Sequence, residues 1–443
     1  MNKVKVSFIG AGSYGFTLKL VIDILSFDSL KDCRLSFMDV NQERLDNVKI
    51  LIEEYLHQKD YKNETEYTLD MGKSLDGADF VINLVKIGFL EASNLDMDIP
   101  KKYGLYQTIG DTCGVAGIFR GLRTMIFNNK MLSDIEKRSS KKAIVLNYTN
   151  PQSMSVMAAA MTSRIPLIGL CHSVQGTTRQ IAKVVNIPYE ELDYEAAGIN
   201  HMNWVTKLES KEKDLYPEFR KIVAEKGIFN ESGYSDDVFA NLGPTRLDML
   251  LRTGYMVTES SVHFPEYVPY YLRTKELIDQ YKIVIDKYKQ NIARKEKTYK
   301  GYVESAKKHE LPTFERSVEY GSSIINSMVT NNSCKIYANV INTGLITNLP
   351  EFSSVEVACM VDRNGVHPCY YGALPTHLAA LCSMNISVHQ LAVEAVLNKD
   401  KTSIYYALMA DPATHSVLTL DEMQKVVDEL VSLQQEYLGE YFN

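Results

Sequence analysis

Three glycines near the start of the chain have the spacing of a dinucleotide-binding turn. Gly10, Gly12 and Gly15 follow an apolar, β-rich segment, Val4–Ile9, and precede a segment with helical apolar spacing, Phe16–Leu25. In such a turn the first glycine allows the tight bend, the second lets the backbone approach a pyrophosphate, and the third allows close packing of the helix. The spacing therefore predicts a dinucleotide site.

Asp39 stands where a dinucleotide fold places its acidic residue. It follows a second predicted strand, Arg34–Met38, and a carboxylate there accepts both ribose hydroxyls and rejects a 2′-phosphate. This favours NAD over NADP. The alternative is that Asp39 only caps the next predicted helix, Asn41–Gln58.

Three asparagines lie near strand ends, the edge at which doubly wound sheets bind ligands. Asn83 belongs to the predicted strand Phe80–Val85, Asn147 ends the predicted strand Ala143–Asn147, and Asn150 follows shortly after. We predict that Asn83 and Asn147 line the cofactor, unless they satisfy buried backbone groups instead.

Cys171 and His201 are candidate metal ligands, because a thiolate and a neutral imidazole both bind borderline divalent ions. Cys171 follows a strand-like segment, Leu167–Leu170. The separation of the two residues matches no compact zinc motif, so by themselves they favour a structural role.

The elements that must position these residues alternate between strand and helix, which predicts an α/β fold with a parallel, doubly wound sheet. We place a Rossmann-type NAD-binding domain in residues 1–192 and a mixed α/β substrate, metal-binding and oligomerisation domain in residues 193–443. The second domain contains a predicted helix, Pro244–Tyr255, and a mixed-charge stretch, Arg273–Tyr302, typical of a solvated helical face. Its helical tail, Ser387–Tyr441, includes a helix start at Asp421.

Composition narrows the function classes. The 443 residues carry a net charge of −7, which disfavours nucleic acid and anionic lipid as partners. No apolar run approaches the ~18 to 20 residues of a membrane span. The seven cysteines are an odd number scattered along the chain, so we expect free thiols rather than a disulfide framework. The protein is predicted to be cytoplasmic.

Several strings along most of the chain resemble one family, glycoside hydrolase family 4, which departs from the two-carboxylate glycosidases. The strings are Gly104–Thr112, Asn147–Pro151, Gly169–Gly176, Ala197–Met202, Gly254–Ser261 and Asn348–Pro350. They are most similar to the α-galactosidase branch. The resemblance implies an enzyme that needs NAD and a divalent cation, usually Mn²⁺, and a second domain like the C-terminal domain of lactate and malate dehydrogenases. It also implies a homodimer or homotetramer.

Two departures from the family's phospho-sugar branches bear on the substrate. Those branches carry an arginine, thought to meet the phosphate, where this chain has Ser93, and the loss of a guanidinium removes a strong bidentate anion contact. They also carry an aspartate, proposed as the general acid, where this chain has His172. An unphosphorylated α-glycoside is therefore favoured. The alternative is that another arginine or lysine takes the place of the missing one and binds a phosphate.

The resemblance implies a redox mechanism of hydrolysis. NAD⁺ takes hydride from C3 of the sugar, a base removes the C2 proton that has become acidic, the C1 leaving group is eliminated, water adds, and NADH returns the hydride. Cys171 and His201 hold the metal ion, which stabilises developing charge. Asn150 binds sugar hydroxyls. His172 assists the leaving group or binds a hydroxyl.

Tyr267 is the predicted C2 base. It begins a Tyr-x-x-Tyr-Tyr string, Tyr267–Tyr271, that resembles the string containing the base in the phospho-sugar branches. His263 and Glu266 are competitors, and the aromatic cluster is alternatively plain core. Asp111 is predicted to accept a sugar hydroxyl or join the metal shell, and its alternative is a helix cap.

Other functions fit part of the pattern. An α-glucosidase, α-glucuronidase or α-galacturonidase of the same family shares the motifs. A dehydrogenase of the lactate or malate type shares the glycine turn but lacks the metal pair, and it would produce net NADH. A further alternative is a cofactor-binding regulator without catalysis. It would need no metal ion, so replacement of Cys171 by serine would leave its function unchanged.

Overall fold

The computed structural model describes residues 3–229 and 239–442. Its strands are β1 (Lys5–Ile9), β2 (Arg34–Met38), β3 (Thr65–Thr68), β4 (Phe80–Asn83), β5 (Ile144–Asn147), β6 (Leu167–Gly169), β7 (Asp193–Ile199), β8 (Met202–Ser210), β9 (Lys213–Asp214), β10 (Met256–Val257), β11 (Cys334–Ile341), β12 (Ser354–Asp362) and β13 (Gly365–Pro368).

The α-helices within the same residues are α1 (Phe16–Leu25), α2 (Gln42–Gln58), α3 (Met71–Leu75), α4 (Phe89–Lys101), α5 (Gly114–Arg138), α6 (Gln152–Thr162), α7 (Ser173–Val184), α8 (Tyr216–Lys226), α9 (Pro244–Thr253), α10 (Lys275–Gln280), α11 (Lys287–Lys307), α12 (Gly321–Thr330), α13 (Thr376–Asn398), α14 (Lys401–Ala410), α15 (Pro412–His415), α16 (Leu420–Leu433) and α17 (Gln435–Leu438).

The first half of the chain forms a parallel sheet in the order β3-β2-β1-β4-β5-β6. All five residues of β1 are buried, as expected for a central parallel strand covered on both faces by helices. The order places the switch point between β1 and β4, beside the glycine turn, where open α/β sheets bind dinucleotides. The predicted α/β fold with a Rossmann-type N-terminal half is confirmed.

The second half extends the same sheet with antiparallel strands. β11 joins β6 through one residue pair, Asn339 with Gly169, and β12, β7, β8 and β10 follow in that order. The sheet is therefore continuous across the predicted boundary between residues 192 and 193, and β7 begins at Asp193. The boundary itself stays a prediction.

Several predicted helices agree with the structure, and two differ in instructive ways. The helix predicted to start at Asp421 begins one residue earlier, because Thr419 and Glu422 form a capping box. The mixed-charge stretch contains α11, which is more than a solvated face. It buries Tyr299, whose ring lies 5.6 Å from that of Tyr14 in the glycine turn.

One described helix, α13, is long and apolar enough to cross a membrane by length and composition, whereas the sequence analysis expected no such run. Half of its most apolar window is buried in the protein, where it packs against α5, α6 and α14. A buried core helix is apolar around most of its surface for the same reason, so this helix by itself is weak evidence for a membrane span.

Candidate active site

The glycine turn lies at one wall of a large cleft. Gly10 has φ +80°, and a Cβ there would come within 2.8 Å of the Val85 nitrogen. Gly15, with φ +78°, is the N-cap residue of α1. The close approach and the left-handed backbone both require glycine, so the turn has the form that the sequence analysis expected.

Asp39 faces the same turn. Its carboxylate accepts hydrogen bonds from the backbone N–H groups of Gly12, at 2.8 Å, and Asn41, at 3.0 Å. The cleft that this turn borders has a volume of about 1300 Å³, which is large enough for a dinucleotide. Gly10, Gly12, Gly15 and Asp39 all line it.

Asn83 and Asn147 are predicted to line the cofactor, but neither of them lines the cleft. Both are fully buried, and the Asn83 side chain donates to Asn147 at 2.8 Å and to Asn128 at 3.0 Å. Asn147 in turn donates to the Gln152 side chain. The two asparagines therefore tie β4 to β5 and α6. Asn83 also accepts from the Val85 N–H at 3.2 Å, and Asn147 donates to the Thr149 carbonyl at 2.8 Å, so both satisfy backbone groups, as the alternative proposed.

The inner end of the cleft reaches a second group of side chains through Arg120. Arg120 lines the cleft and donates to the Asn150 carbonyl at 3.1 Å. The Asn150 side chain donates to Asp111 at 3.0 Å. This chain of contacts connects the cleft with the residues that were predicted to bind sugar and metal.

Asp111, His201 and His263 bring one potential ligand atom each to within 4.8 Å of one another. We call these three residues the central cluster. His201 sits in the two-residue turn between β7 and β8 with a left-handed φ of 63°, a conformation that two-residue hairpin turns commonly require. Its Nδ1 atom shares a hydrogen bond with the Tyr267 hydroxyl at 2.9 Å.

Electrostatics in the central cluster favour the charged forms of His263 and Asp111 despite burial, whereas burial lowers the pKa of His201. Burial lowers the pKa of His263, but the carboxylates of Asp111, Glu259 and Glu266 outweigh it and hold that pKa well above its usual value. Burial raises the pKa of Asp111, yet His263, Arg120 and His201 together hold it below its usual range. Hence Asp111 is a carboxylate beside an imidazolium.

Glu266, a competing candidate for the C2 base, has a structural role instead. Its Oε1 accepts backbone N–H groups from Thr108, Ile109 and Gly110 at 2.6, 3.0 and 3.0 Å. A carboxylate that accepts three backbone donors is fixed in place by them. Glu266 therefore holds the loop that carries Asp111. The charged His263 is a poor base, which leaves Tyr267 among the predicted candidates.

Tyr267 is fully buried, and burial raises its pKa well above its usual value. Tyr267 and Tyr271 thus pack in the core, whereas Tyr270 is exposed. The Tyr267 hydroxyl nevertheless reaches His201. A phenol in this position needs a nearby positive charge to act as a base.

Cys171 lies outside the central cluster but within its electrostatic field. Burial raises the pKa of the Cys171 thiol, and the Glu356 and Glu259 carboxylates raise it further. Glu259 also lies 3.5 Å from His201 Nε2. A thiol in such surroundings becomes a thiolate only beside a cation. Cys171 and His201 therefore share Glu259 as a neighbour, and their joint role as metal ligands stays a prediction.

His172 begins α7 and is exposed over most of its side chain. Its Nδ1 lies 3.2 Å from Oε1 of Glu319, a buried residue that also pairs with Lys19 at 3.1 Å. Hydrogen bonding to Glu319 raises the pKa of His172.

Sequence reasoning missed three functional candidates, of which one lies within the strings that carried the family resemblance and two do not. Glu259 belongs to those strings, but nothing in its spacing predicts that it lies beside His263. Lys86 and Arg120 both line the cleft. Arg120 lies inside α5, and a charged residue on a helix ordinarily faces solvent, so the sequence offered no signal for it.

The chain was compared with known proteins. A model of the family 4 glycosyl hydrolases matches residues 5–187, and a model of the C-terminal domain of the same family matches residues 196–414. The chain belongs to glycoside hydrolase family 4. An α-galactosidase from Bacillus subtilis is 35% identical over 99% of both chains, and an α-galacturonidase from Thermoanaerobacter italicus is 28% identical over 98% of this chain and 97% of the other.

Solved structures agree with the family membership. The crystal structure of a 6-phospho-α-glucosidase from gut microorganisms, in complex with NAD and Mn²⁺, superposes with a TM-score of 0.82 over 98% of this chain and 99% of the other, at 20% identity. That likeness shows a shared fold. The predicted glycoside hydrolase fold and family are thus confirmed, and the α-galactosidase branch is the one that the curated relative at 35% identity represents.

Proposed function

We propose that this family 4 enzyme hydrolyses an unphosphorylated α-glycoside, most favourably an α-galactoside, with NAD and a divalent cation such as Mn²⁺ as cofactors. The observation that carries the proposal is the direct connection between the nucleotide cleft and the central cluster, through Arg120 and Asn150. A hydride acceptor in the cleft and a sugar at the cluster would then lie side by side. The α-galactosidase relative supports the choice of sugar.

The residues at the cleft fit NAD. The turn at Gly10 leaves no room for a side chain, and the backbone N–H groups at the N-terminus of α1, which begins directly after Gly15, would bind the pyrophosphate. Asp39 is positioned to accept ribose hydroxyls. Cys171, His201 and Asp111 would hold the cation, since thiolate, imidazole and carboxylate are ligands for a borderline divalent ion.

When bound, NAD would take hydride from C3 of the sugar and later return it, and the cation would stabilise the charge that develops beside the resulting ketone. Asn150 and Asp111, hydrogen-bonded to each other at 3.0 Å, would orient the sugar hydroxyls. Tyr267 would remove the C2 proton. The hydrogen bond between its hydroxyl and His201 Nδ1 fixes the phenol next to a predicted metal ligand.

Departure of the C1 group needs a proton, and His172 would supply it. Glu319 engages Nδ1 of His172, which leaves Nε2 for the leaving group and favours the protonated ring. Water would then add at C1, and the cofactor would end in the state in which it began.

A second candidate is an anionic sugar such as an α-galacturonide, and Lys86 is the observation that favours it. Among the described residues, the Lys86 side-chain nitrogen is buried without a hydrogen-bond partner, and it lines the cleft together with Arg120. Burial lowers the pKa of Lys86, and an anionic group bound beside it would favour its charged form.

One experiment tests both candidates. Nitrophenyl α-galactoside, α-glucoside and α-galacturonide are each offered to the purified enzyme, with NAD⁺, the divalent cation and the thiol reductant omitted in turn. We expect α-galactoside cleavage that requires all three additions and yields no net NADH. Cleavage at full rate without NAD⁺ and cation contradicts the proposal. Preference for the galacturonide selects the second candidate, and net NADH indicates a dehydrogenase.

We also propose a cytoplasmic homodimer or homotetramer, with a small sugar as its partner rather than nucleic acid or membrane. The net charge of −7 supports this choice of partners. Light scattering of the purified protein measures the oligomeric state, and a monomer mass contradicts that part of the proposal.

A further inference from the structure

A second cluster of metal-ligating side chains lies outside the candidate active site. Glu54 and His57 belong to the last turns of α2, and His309 follows the C-terminus of α11. One ligand atom from each of the three residues lies within 4.8 Å of the others. The His309 Nδ1 and the Glu54 Oε2 are 2.7 Å apart. Residues distant in sequence thus converge at the junction of two helices.

The cluster is held in place by the surrounding structure. Glu54 is buried, and the Gln58 amide donates to Glu54 Oε1 at 3.0 Å and to the Leu311 carbonyl at 3.2 Å. Gln58 therefore orients the carboxylate so that Oε2 faces His309, and it pins the segment after α11 onto α2. Polar neighbours of this kind fix ligand orientation in metal sites.

The ligand set has a definite chemical preference. Glu54 and His57 are three residues apart on one helix, so their side chains lie on the same face, and His309 supplies a second imidazole. Two imidazole nitrogens and one carboxylate oxygen suit a zinc-class ion, with water as the fourth ligand of a tetrahedral site. Both imidazoles are exposed to solvent, which gives the ion a path of entry.

We propose that Glu54, His57 and His309 bind a zinc-class divalent cation that fastens α11 to α2. The position gives the ion a structural role in the wall of the nucleotide cleft. Ile292 and Lys295 of α11 line that cleft, as does Arg44 of α2. An ion that joins the ends of these helices stabilises the cleft wall without contact with the central cluster.

The first test counts bound zinc. Full-length protein is stripped with EDTA, incubated with Zn²⁺, desalted and analysed for metal content. His309→Ala and His57→Ala are expected to retain about one equivalent less than the wild type. His367→Ala is the matched control, because His367 also pairs with a carboxylate, Asp362 at 2.9 Å, but belongs to no three-residue group among the described residues. Equal zinc content in all four proteins overturns the proposal.

The second test distinguishes a built site from a surface pair of histidines. Gln58→Ala leaves all three ligands in place, and the loss of a supporting hydrogen bond is expected to weaken zinc binding by about 10- to 100-fold in calorimetric titrations. Zinc is also expected to raise the melting temperature of the wild type more than that of His309→Ala. Unchanged affinity in Gln58→Ala, or equal melting shifts, contradicts the proposal. Both readouts are independent of glycosidase activity.

Discussion

Two buried histidines in different regions of the molecule have pKa values shifted in opposite directions. His263, in the central cluster, lies among the carboxylates of Asp111, Glu259 and Glu266, which raise its pKa despite burial. His389, in the helical layer around α13, has no hydrogen-bond partner for either ring nitrogen among the described residues, and burial lowers its pKa to about 4. Burial alone neutralises an imidazole, whereas surrounding carboxylates keep it charged.

This difference indicates which buried polar residues belong to a reactive centre. In the central cluster the charges are matched: His263 lies 3.3 Å from Asp111 and 3.1 Å from Glu266. His389, by contrast, has no carboxylate that raises its pKa, so burial alone sets the direction of the shift. Matched charges can bind and move protons at a substrate, and an isolated neutral imidazole contributes mainly volume.

The largest effect is expected where the central cluster meets the substrate. Tyr267→Phe removes the hydroxyl that contacts His201, and loss of a general base lowers the rate by about 10² to 10⁴-fold. Assays of kcat/KM on the preferred nitrophenyl glycoside measure it. Tyr271→Phe is the matched control, since its hydroxyl contacts Asp248 at 3.1 Å instead. Equal losses in both variants would assign Tyr267 to the core alone.

A smaller effect, on stability, is expected from the residue that holds the cluster together. Glu266→Gln removes the charge that faces His263 and disturbs three backbone hydrogen bonds. Breaking a buried ion pair by changing one partner costs about 3 to 5 kcal/mol, so the free energy of unfolding from urea titrations is expected to fall by that amount.

Glu64→Gln provides the control for that measurement. Glu64 pairs with Arg34 at 2.9 Å at the surface, where both side chains are largely exposed, and such pairs contribute little. If the two variants unfold at the same urea concentration, the carboxylate of Glu266 does not organise the central cluster.

The sequence predicted the parts of the molecule that depend on local spacing and missed those that depend on contacts between distant segments. The nucleotide cleft depends on a short local segment in which glycine spacing follows directly from backbone geometry, so Gly10, Gly12 and Gly15 were found by pattern. Asn83 looked like a cleft residue because it ends a strand, yet its position relative to Asn147 depends on how β4 and β5 pair. Strand pairing between distant segments is not encoded in local spacing.

The central cluster was predictable in identity but not in arrangement. Asp111, His201 and Tyr267 were singled out through the resemblance, whereas the role of Glu266 depends on three backbone N–H groups of a loop far away in sequence. The antiparallel strands β7 and β8 also escaped prediction, although their two-residue turn carries His201. Buried charge networks are properties of the folded chain, and single-residue patterns do not contain them.

The smallest effect is expected in the helical layer, where the free energy of unfolding depends on pH through His389. The unfolded chain binds a proton at His389 with a pKa of about 6.5, whereas the folded chain does so only at about 4. Stability is therefore fully present above pH 6.5 and declines as the pH falls toward 4, by at most about 3 kcal/mol. Urea titrations of the wild type at pH 7.5, 6 and 5 measure the decline.

His389→Leu isolates this contribution, because an apolar side chain of similar volume leaves no unpaired nitrogen in the layer. The variant is expected to match or exceed the wild type in stability at pH 7.5 and to lose less of it between pH 7.5 and 5. His415→Leu, which alters an exposed histidine, should keep the wild-type dependence. An undiminished pH dependence in His389→Leu would mean that the acid sensitivity originates elsewhere, and the matched charges around His263 would then be the first region to test.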